Sequence, residues 1–209
     1  MNYVLSFDIG IKNLAYCFLE FNCETKKEKI VLWEVLPIFK SKRSAKNIPY
    51  QVLSENLYLR LEEIKDKFLE ISSSDSDLPM PIHIIIERLM TEKMKTLAGM
   101  IFMYFSVYQN MNVNVLKNFS IKTLKYYSAK HKLSDMIYTP EETDEIQFKE
   151  IKSPKNSYNY RKNLSKQYCN ILIHRNQSED FLKFFKENKK KDDLSDCFLQ
   201  AISFTKLEF

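Results

Sequence analysis

The run Ile82-His83-Ile84-Ile85-Ile86 constrains this chain more than any other stretch. Four isoleucines in five positions leave almost no polar face, which is the pattern of a strand covered on both sides. Such a strand lies inside a sheet with helices above and below it, so the class is α/β. One covering helix is predicted over 51–71, where Val52, Leu53, Leu57, Leu61, Ile64, Phe68 and Ile71 recur at helical spacing. The polar stretch SSSDSDLPMP then returns the chain to the buried strand.

Upstream, residues 3–8 alternate: Tyr3, Leu5 and Phe7 share one face, and Val4, Ser6 and Asp8 the other. Residues 14–21 and 29–36 read as second and third strands, and short connections make the three an antiparallel meander. The helix over 51–71 is a crossover long enough to set the isoleucine strand parallel to the first. Beyond it the pattern predicts a helix over 92–110, a short strand over 113–116 and a helix after Ser120. Further helices follow through 161–173, near 178–187 and through 193–204. Residues 131–154 are polar and irregular and read as an inserted loop. At 209 residues the chain is expected to be one domain, 1–209.

Only two glycines are present, Gly10 and Gly99. Gly10 follows Asp8 by two, where a sharp turn with positive φ is expected at the end of the first strand. The same scarcity argues against nucleotide-phosphate loops of the sugar-kinase or actin-like kind, although those too open with a D-x-G turn. The longest apolar run, MIFMYFSV, is too short to span a bilayer, and the N-terminus has no secretory pattern. A cytoplasmic protein that is not secreted is expected. Cys17, Cys23, Cys169 and Cys197 form no C-x-x-C pair and are expected to be reduced.

Net charge is +5, and the basic residues cluster: Lys40 to Lys46, Lys93 and Lys95, Lys122 and Lys125, Arg161, Lys162 and Lys166, and Lys186 to Lys191. Each cluster alone reads first as a solvated face, but taken together, with Tyr126, Tyr127, Tyr158 and Tyr160 interleaved, they suit a nucleic-acid backbone.

The acids locate the chemistry. Asp8 and Glu87 each end an apolar strand, and in mixed sheets of this layout sites form beyond the carboxyl ends of the parallel strands. Asp193 and Asp196, three apart, share one face of the last helix. Read singly, they are a turn residue before Gly10, an ion pair of Glu87 with Arg88, Lys93 or Lys95, and helix caps. Read together, four carboxylates form an oxygen-ligand set suited to Mg²⁺ or Mn²⁺. Two such ions roughly 3.5–4 Å apart would orient a water and stabilise the leaving oxygen of a phosphodiester. His83, His131 and His174 have no zinc-ligand spacing.

FDIGIKN at the first strand end, the IIIER strand and the terminal KKDDLSDCFLQA helix resemble, in order and separation, the RuvC-type Holliday-junction resolvases of the RNase H-like superfamily. The poxvirus members are the most similar. The resemblance implies an RNase H-like fold with a mixed five-stranded sheet, three meander strands followed by parallel ones, flanked by helices. It further implies a homodimer without a small-molecule cofactor, and Mg²⁺-dependent cutting of four-way DNA junctions in recombination and in processing replicated viral DNA. For a viral protein this would occur in the host-cell cytoplasm. The catalytic and metal-binding acids carried over are Asp8, Glu87, Asp193 and Asp196, with Asp192 as an alternative to Asp193. Phosphate contacts are carried over to Lys122, after the fifth strand, and to Lys162 and Lys166. Where bacterial members have a phenylalanine shortly after the strand-end glutamate, this chain has Met90. Asn13 resembles the poxvirus and fungal mitochondrial branches.

A nuclease acting on RNA/DNA hybrids would share this metal site, and a non-catalytic nucleic-acid-binding module would use the acids only as caps and ion pairs. The stripe of Met100, Met103, Tyr104, Tyr108 and Met111 exceeds what one helix face of a small domain buries and is the expected dimer surface.

Overall fold

A computed structural model of the chain describes residues 1–39, 47–72, 79–110, 119–134, 157–176 and 179–209. Strands β1 (Asn2–Ile9), β2 (Asn13–Asn22) and β3 (Lys27–Pro37) form the expected meander. Helix α1 (Tyr50–Ser72) crosses over to β4 (Met80–Glu87), which lies parallel to β1. After α2 (Glu92–Asn110) comes β5 (Phe119–Tyr127), parallel to β4, so the sheet order is β3-β2-β1-β4-β5. A four-residue helical turn, α3 (His131–Ser134), precedes α4 (Tyr158–Asn176), α5 (Glu179–Glu187) and α6 (Lys191–Glu208).

The mixed five-stranded sheet expected from the sequence, three meander strands followed by parallel ones with flanking helices, is borne out. One correction concerns residues after Ser120, which form β5 and not a helix. The register of β4 against β5 shifts between Ile82 and His83. Ile121 and Leu124 therefore both pack on the same core, a spacing of three that imitates a helix. Lys122 consequently lies within β5, not after the fifth strand. The strand expected over 113–116 and the basic stretch 40–46 lie outside the described residues, as does most of the loop expected over 131–154, whose first four residues form α3.

The two sheet faces carry separate cores. Leu5, Phe7 and Ile9 of β1 join Ile84 and Ile86 of β4 against Leu57, Leu61 and Ile64 of α1 and Leu97, Ile101 and Phe105 of α2. On the opposite face Val4, Cys17 and Ile85 pack against Cys169 and Ile173 of α4 and Leu194, Phe198 and Ile202 of α6. Each fully buried large side chain contributes roughly 1.5–3 kcal/mol. Trp33 fixes the start of α6. Its ring stacks on Phe185 at 5.4 Å, and its Nε1 donates to the Leu194 carbonyl at 3.1 Å, one residue from Asp193.

Gly10 does not have the expected positive φ. Its value is close approach: the Gly10 amide donates to the Asn13 carbonyl at 2.9 Å, and an added Cβ would stand 3.2 Å from that oxygen. Asn13 thereby closes the turn that ends β1. All four cysteines are free thiols. No helix among the described residues is long and apolar enough to cross a membrane.

Candidate active site

Register brings the first two acids together. Phe7 of β1 pairs with Ile86 of the parallel β4, so the next residue on each strand, Asp8 and Glu87, emerge side by side. Their carboxyls share a hydrogen bond. Asp193 and Asp196 enter the same cleft from α6, which packs along β1 and β2. The cleft has a volume of about 770 Å³ and opens at the carboxyl ends of β1, β4 and β5.

Lys132 lies at its base. The side chain is 5% exposed, with Nζ 3.0 Å from Glu87 Oε1 and 3.7 Å from Asp196 Oδ1. It is the partner of Glu87 in place of the Arg88, Lys93 or Lys95 considered from sequence. Lys93 instead donates to the Ile48 carbonyl at 2.8 Å. Lys132 was missed by sequence reasoning because it sits in a polar stretch without periodicity, and only the packing of α3 on α6 buries it.

These charges set one another's protonation. Burial raises the Asp8 carboxyl well above its ordinary value; Lys132 opposes this, and Glu87 and Asp196 add to it. Burial would raise Glu87 as well, but Lys132 and the hydrogen bond with Asp8 outweigh it, and Glu87 is lowered. Asp196 is raised, chiefly by burial, against the pull of Lys132. Burial alone would strip the Lys132 proton, yet Asp196, Glu87 and Asp8 together hold it on.

Asp192 and Asp193 divide their work. Asp192 ion-pairs with Lys162 of α4 at 2.5 Å and is lowered by it despite burial, with help from the backbone amides of Asp192 and Asp193. Asp193 lines the cleft and is raised by burial and by Asp192.

Arg88, Lys130 and Arg161 also line the cleft and are exposed. Lys162 lines it too, its Nζ 5.0 Å from the Tyr158 ring centroid. Met90 stands at the rim, 88% exposed. Lys166, one turn beyond Lys162, is not a lining residue. Lys122 is exposed on β5, five residues before Tyr127, or about 16 Å from the strand end at roughly 3.3 Å per residue. The structure thus gathers the four predicted acids and Lys162, and leaves Lys122 and Lys166 apart.

Solved structures share this architecture. A yeast mitochondrial Holliday junction resolvase superposes with a TM-score of 0.58 at 18% identity, over 98% of this chain and 78% of its own. The fowlpox virus resolvase in complex with Holliday junction DNA gives 0.54 at 16% identity, over 98% and 97%. The fold is that of the Holliday junction resolvases. Thermus thermophilus RuvC in complex with its Holliday junction substrate matches this resolvase fold at 0.50 and 11% identity, over 96% and 91%. In sequence, an uncharacterized protein of Acanthamoeba polyphaga mimivirus is 28% identical over 190 residues, which are 89% of this chain. The match spans 41% of that relative's length. No family model matches the chain.

Proposed function

We propose that this protein is a metal-dependent endonuclease that resolves four-way DNA junctions by hydrolysing phosphodiester bonds. The observation that carries the proposal is the convergence of Asp8, Glu87, Asp193 and Asp196 in a cleft edged by Arg88, Lys130, Arg161 and Lys162. That combination, acids at the base and cations at the mouth, suits a phosphodiester that must be held and cut.

The donor set is all carboxylate oxygen, the chemistry of Mg²⁺ and of Mn²⁺ as a substitute. Among the described residues no three acids already stand close enough to hold an ion, and the Lys132 ammonium is the cation within the cluster. The four acids would hold two Mg²⁺ ions, which when bound lower the pKa of a water and stabilise the leaving oxygen. The side chains do the remaining work. Lys132 keeps Glu87 ionised and ties it to Asp196. Arg88, Lys130 and Arg161 bind flanking phosphates as exposed cations. Lys162 reaches phosphate by giving up Asp192, and Met90 offers an apolar contact to unstacked bases at the rim.

A four-way junction has two-fold symmetry, so paired cuts call for two copies related by a two-fold axis. We assign that contact to the outer surfaces of α1 and α2. There Tyr58 (54% exposed), Leu59 (60%), Met103 (62%) and Val107 (45%) are exposed apolar side chains, whereas Met100, Tyr104 and Tyr108 of the expected stripe are partly buried and Met111 lies outside the described residues.

The test compares cleavage of a four-way junction, a linear duplex and an RNA/DNA hybrid, each with Mg²⁺ and with EDTA. Selective, EDTA-sensitive cutting of the junction is expected. Selective cutting of the hybrid would move the protein to the RNase H activity, and binding without cutting under any metal would leave a junction-binding module.

A further inference from the structure

The acids of α6 belong to a longer polar stripe. Asp193, Asp196, Gln200 and Ser203 recur at helical spacing, and the last two are wholly buried, Gln200 at 0% and Ser203 at 1% exposed. A buried polar group costs free energy unless it is bonded, so each needs a partner. Gln200 Nε2 donates to the Phe7 carbonyl of β1 at 3.3 Å, next to Asp8. Ser203 Oγ lies 2.8 Å from the His131 carbonyl and 2.9 Å from the hydroxyl of Tyr127. A carbonyl only accepts, so the single Ser203 proton goes to His131, and Tyr127 must donate to Ser203.

This chain of two hydrogen bonds ends on the residue before Lys132. The α3 turn is short; the His131 amide donates to the Ser128 carbonyl at 3.2 Å and the Lys132 amide to the Ala129 carbonyl at 3.3 Å. Tyr127 is 5% exposed and is the last residue of β5, paired with Glu87 across the strands. Its ring also meets His131 at 5.4 Å and Phe204 at 6.0 Å.

We infer that Tyr127 and Ser203 are positioning residues that hold the α3 backbone where Lys132 reaches Glu87 and Asp196. The strand that sets Glu87's neighbour and the helix that carries Asp196 are bridged at the same point that delivers the lysine. Lys132 is thus registered to both acids by backbone, not by its own flexible stem.

The role in cutting rests on the proposed nuclease activity, so the test has one readout independent of it. Amine-reactive labelling of Lys132, read by peptide mass spectrometry on the folded full chain, is expected to be low in wild type. It is expected to rise about tenfold in S203A, following the opening of a local structural unit. In the junction assay S203A is expected to lose about 100-fold in single-turnover rate, the scale of a 1 Å misplacement, with junction Kd unchanged. Y127F, which removes one hydroxyl and keeps the ring, is expected to move both readouts the same way by less, and carries the test alone if S203A does not fold. Wild-type labelling of Lys132 in folded S203A and Y127F overturns the inference. Raised labelling alongside a wild type that cuts no junction upholds the positioning and overturns the nuclease reading.

Discussion

The Lys132 ammonium lies 3.0 Å from the Glu87 carboxylate, at the meeting point of β4, α3 and α6. Breaking a buried pair by removing one partner costs about 3–5 kcal/mol, because the remaining charge stays desolvated. K132M is therefore expected to be clearly less stable than wild type near neutral pH and to recover part of the loss on acidification, as the acids protonate. Urea melts at about pH 7 and about pH 5 measure both effects. Coincident melts of K132M and wild type at both values would remove the electrostatic role.

Replacing an acid by its amide keeps shape and removes charge. D8N, E87Q, D193N and D196N are each expected to reduce junction cutting by about 10²-fold or more while junction binding survives. D192N is expected to retain most of its cutting, because Asp192 is engaged by Lys162. Quenched-flow cleavage alongside anisotropy titrations separates the two quantities. Loss of cutting in D192N together with full activity in D193N would reverse the assignment of the two neighbours.

The raised carboxyls make a pH prediction. Asp8, Asp193 and Asp196 are raised above 3.8, so the stability they contribute is present below that value and lost as pH climbs through their raised folded values. Glu87 is lowered and acts in the opposite sense. His83, also lowered, opposes them on the acid side, so the comparison is made against D8N, in which His83 is unchanged. The melting temperature of D8N is expected to exceed that of wild type near about pH 7 without metal, and the gap to narrow near about pH 5. Calorimetry reads this directly, and a gap that widens with acid contradicts the sign.

A phosphate bound by Lys162, as proposed, would have to compete with Asp192. K162A is expected to reduce the slope of log affinity against log salt by about one unit, without sequence preference. D192N, which frees Lys162, is expected to bind DNA more tightly. An unchanged salt slope in K162A would make the Lys162–Asp192 pair purely structural.

At the α1 and α2 surface proposed as the two-fold contact, M103E and L59E place charge on exposed apolar positions and are expected to give folded monomers. On a supercoiled cruciform plasmid such monomers are expected to leave open circles, where the dimer gives linear product. Light scattering with the plasmid assay checks both, and a wild-type monomer that linearises plasmid in one encounter removes the dimer from the reaction.

Much of this architecture was legible because it is periodic. Alternation placed Asp8 on the face of Val4, the isoleucine run located β4, and the spacing of three joined Asp193 to Asp196. What escaped detection was aperiodic or tertiary. The shift in β4–β5 pairing disguised β5 as helix, and Lys132 acquires meaning only when residues 131–134 meet α6. Asp192 and Asp193 were inseparable because one residue of helical phase decides which meets Lys162.

The docking of α6 against β1 brings together residues far apart in sequence, for Asp8 lies in β1 and Asp193 and Asp196 in α6. A ribosome adds about 5–20 residues per second, so α6 is made after every other element described here. Until it docks, the acid cluster is only half assembled and the apolar face of Val4, Cys17 and Ile85 lacks the part of its cover that α6 supplies. The four carboxylates therefore cannot converge in the nascent chain before α6 docks, and a proteolytic clip that frees α6 is expected to scatter the acid cluster and open that core together.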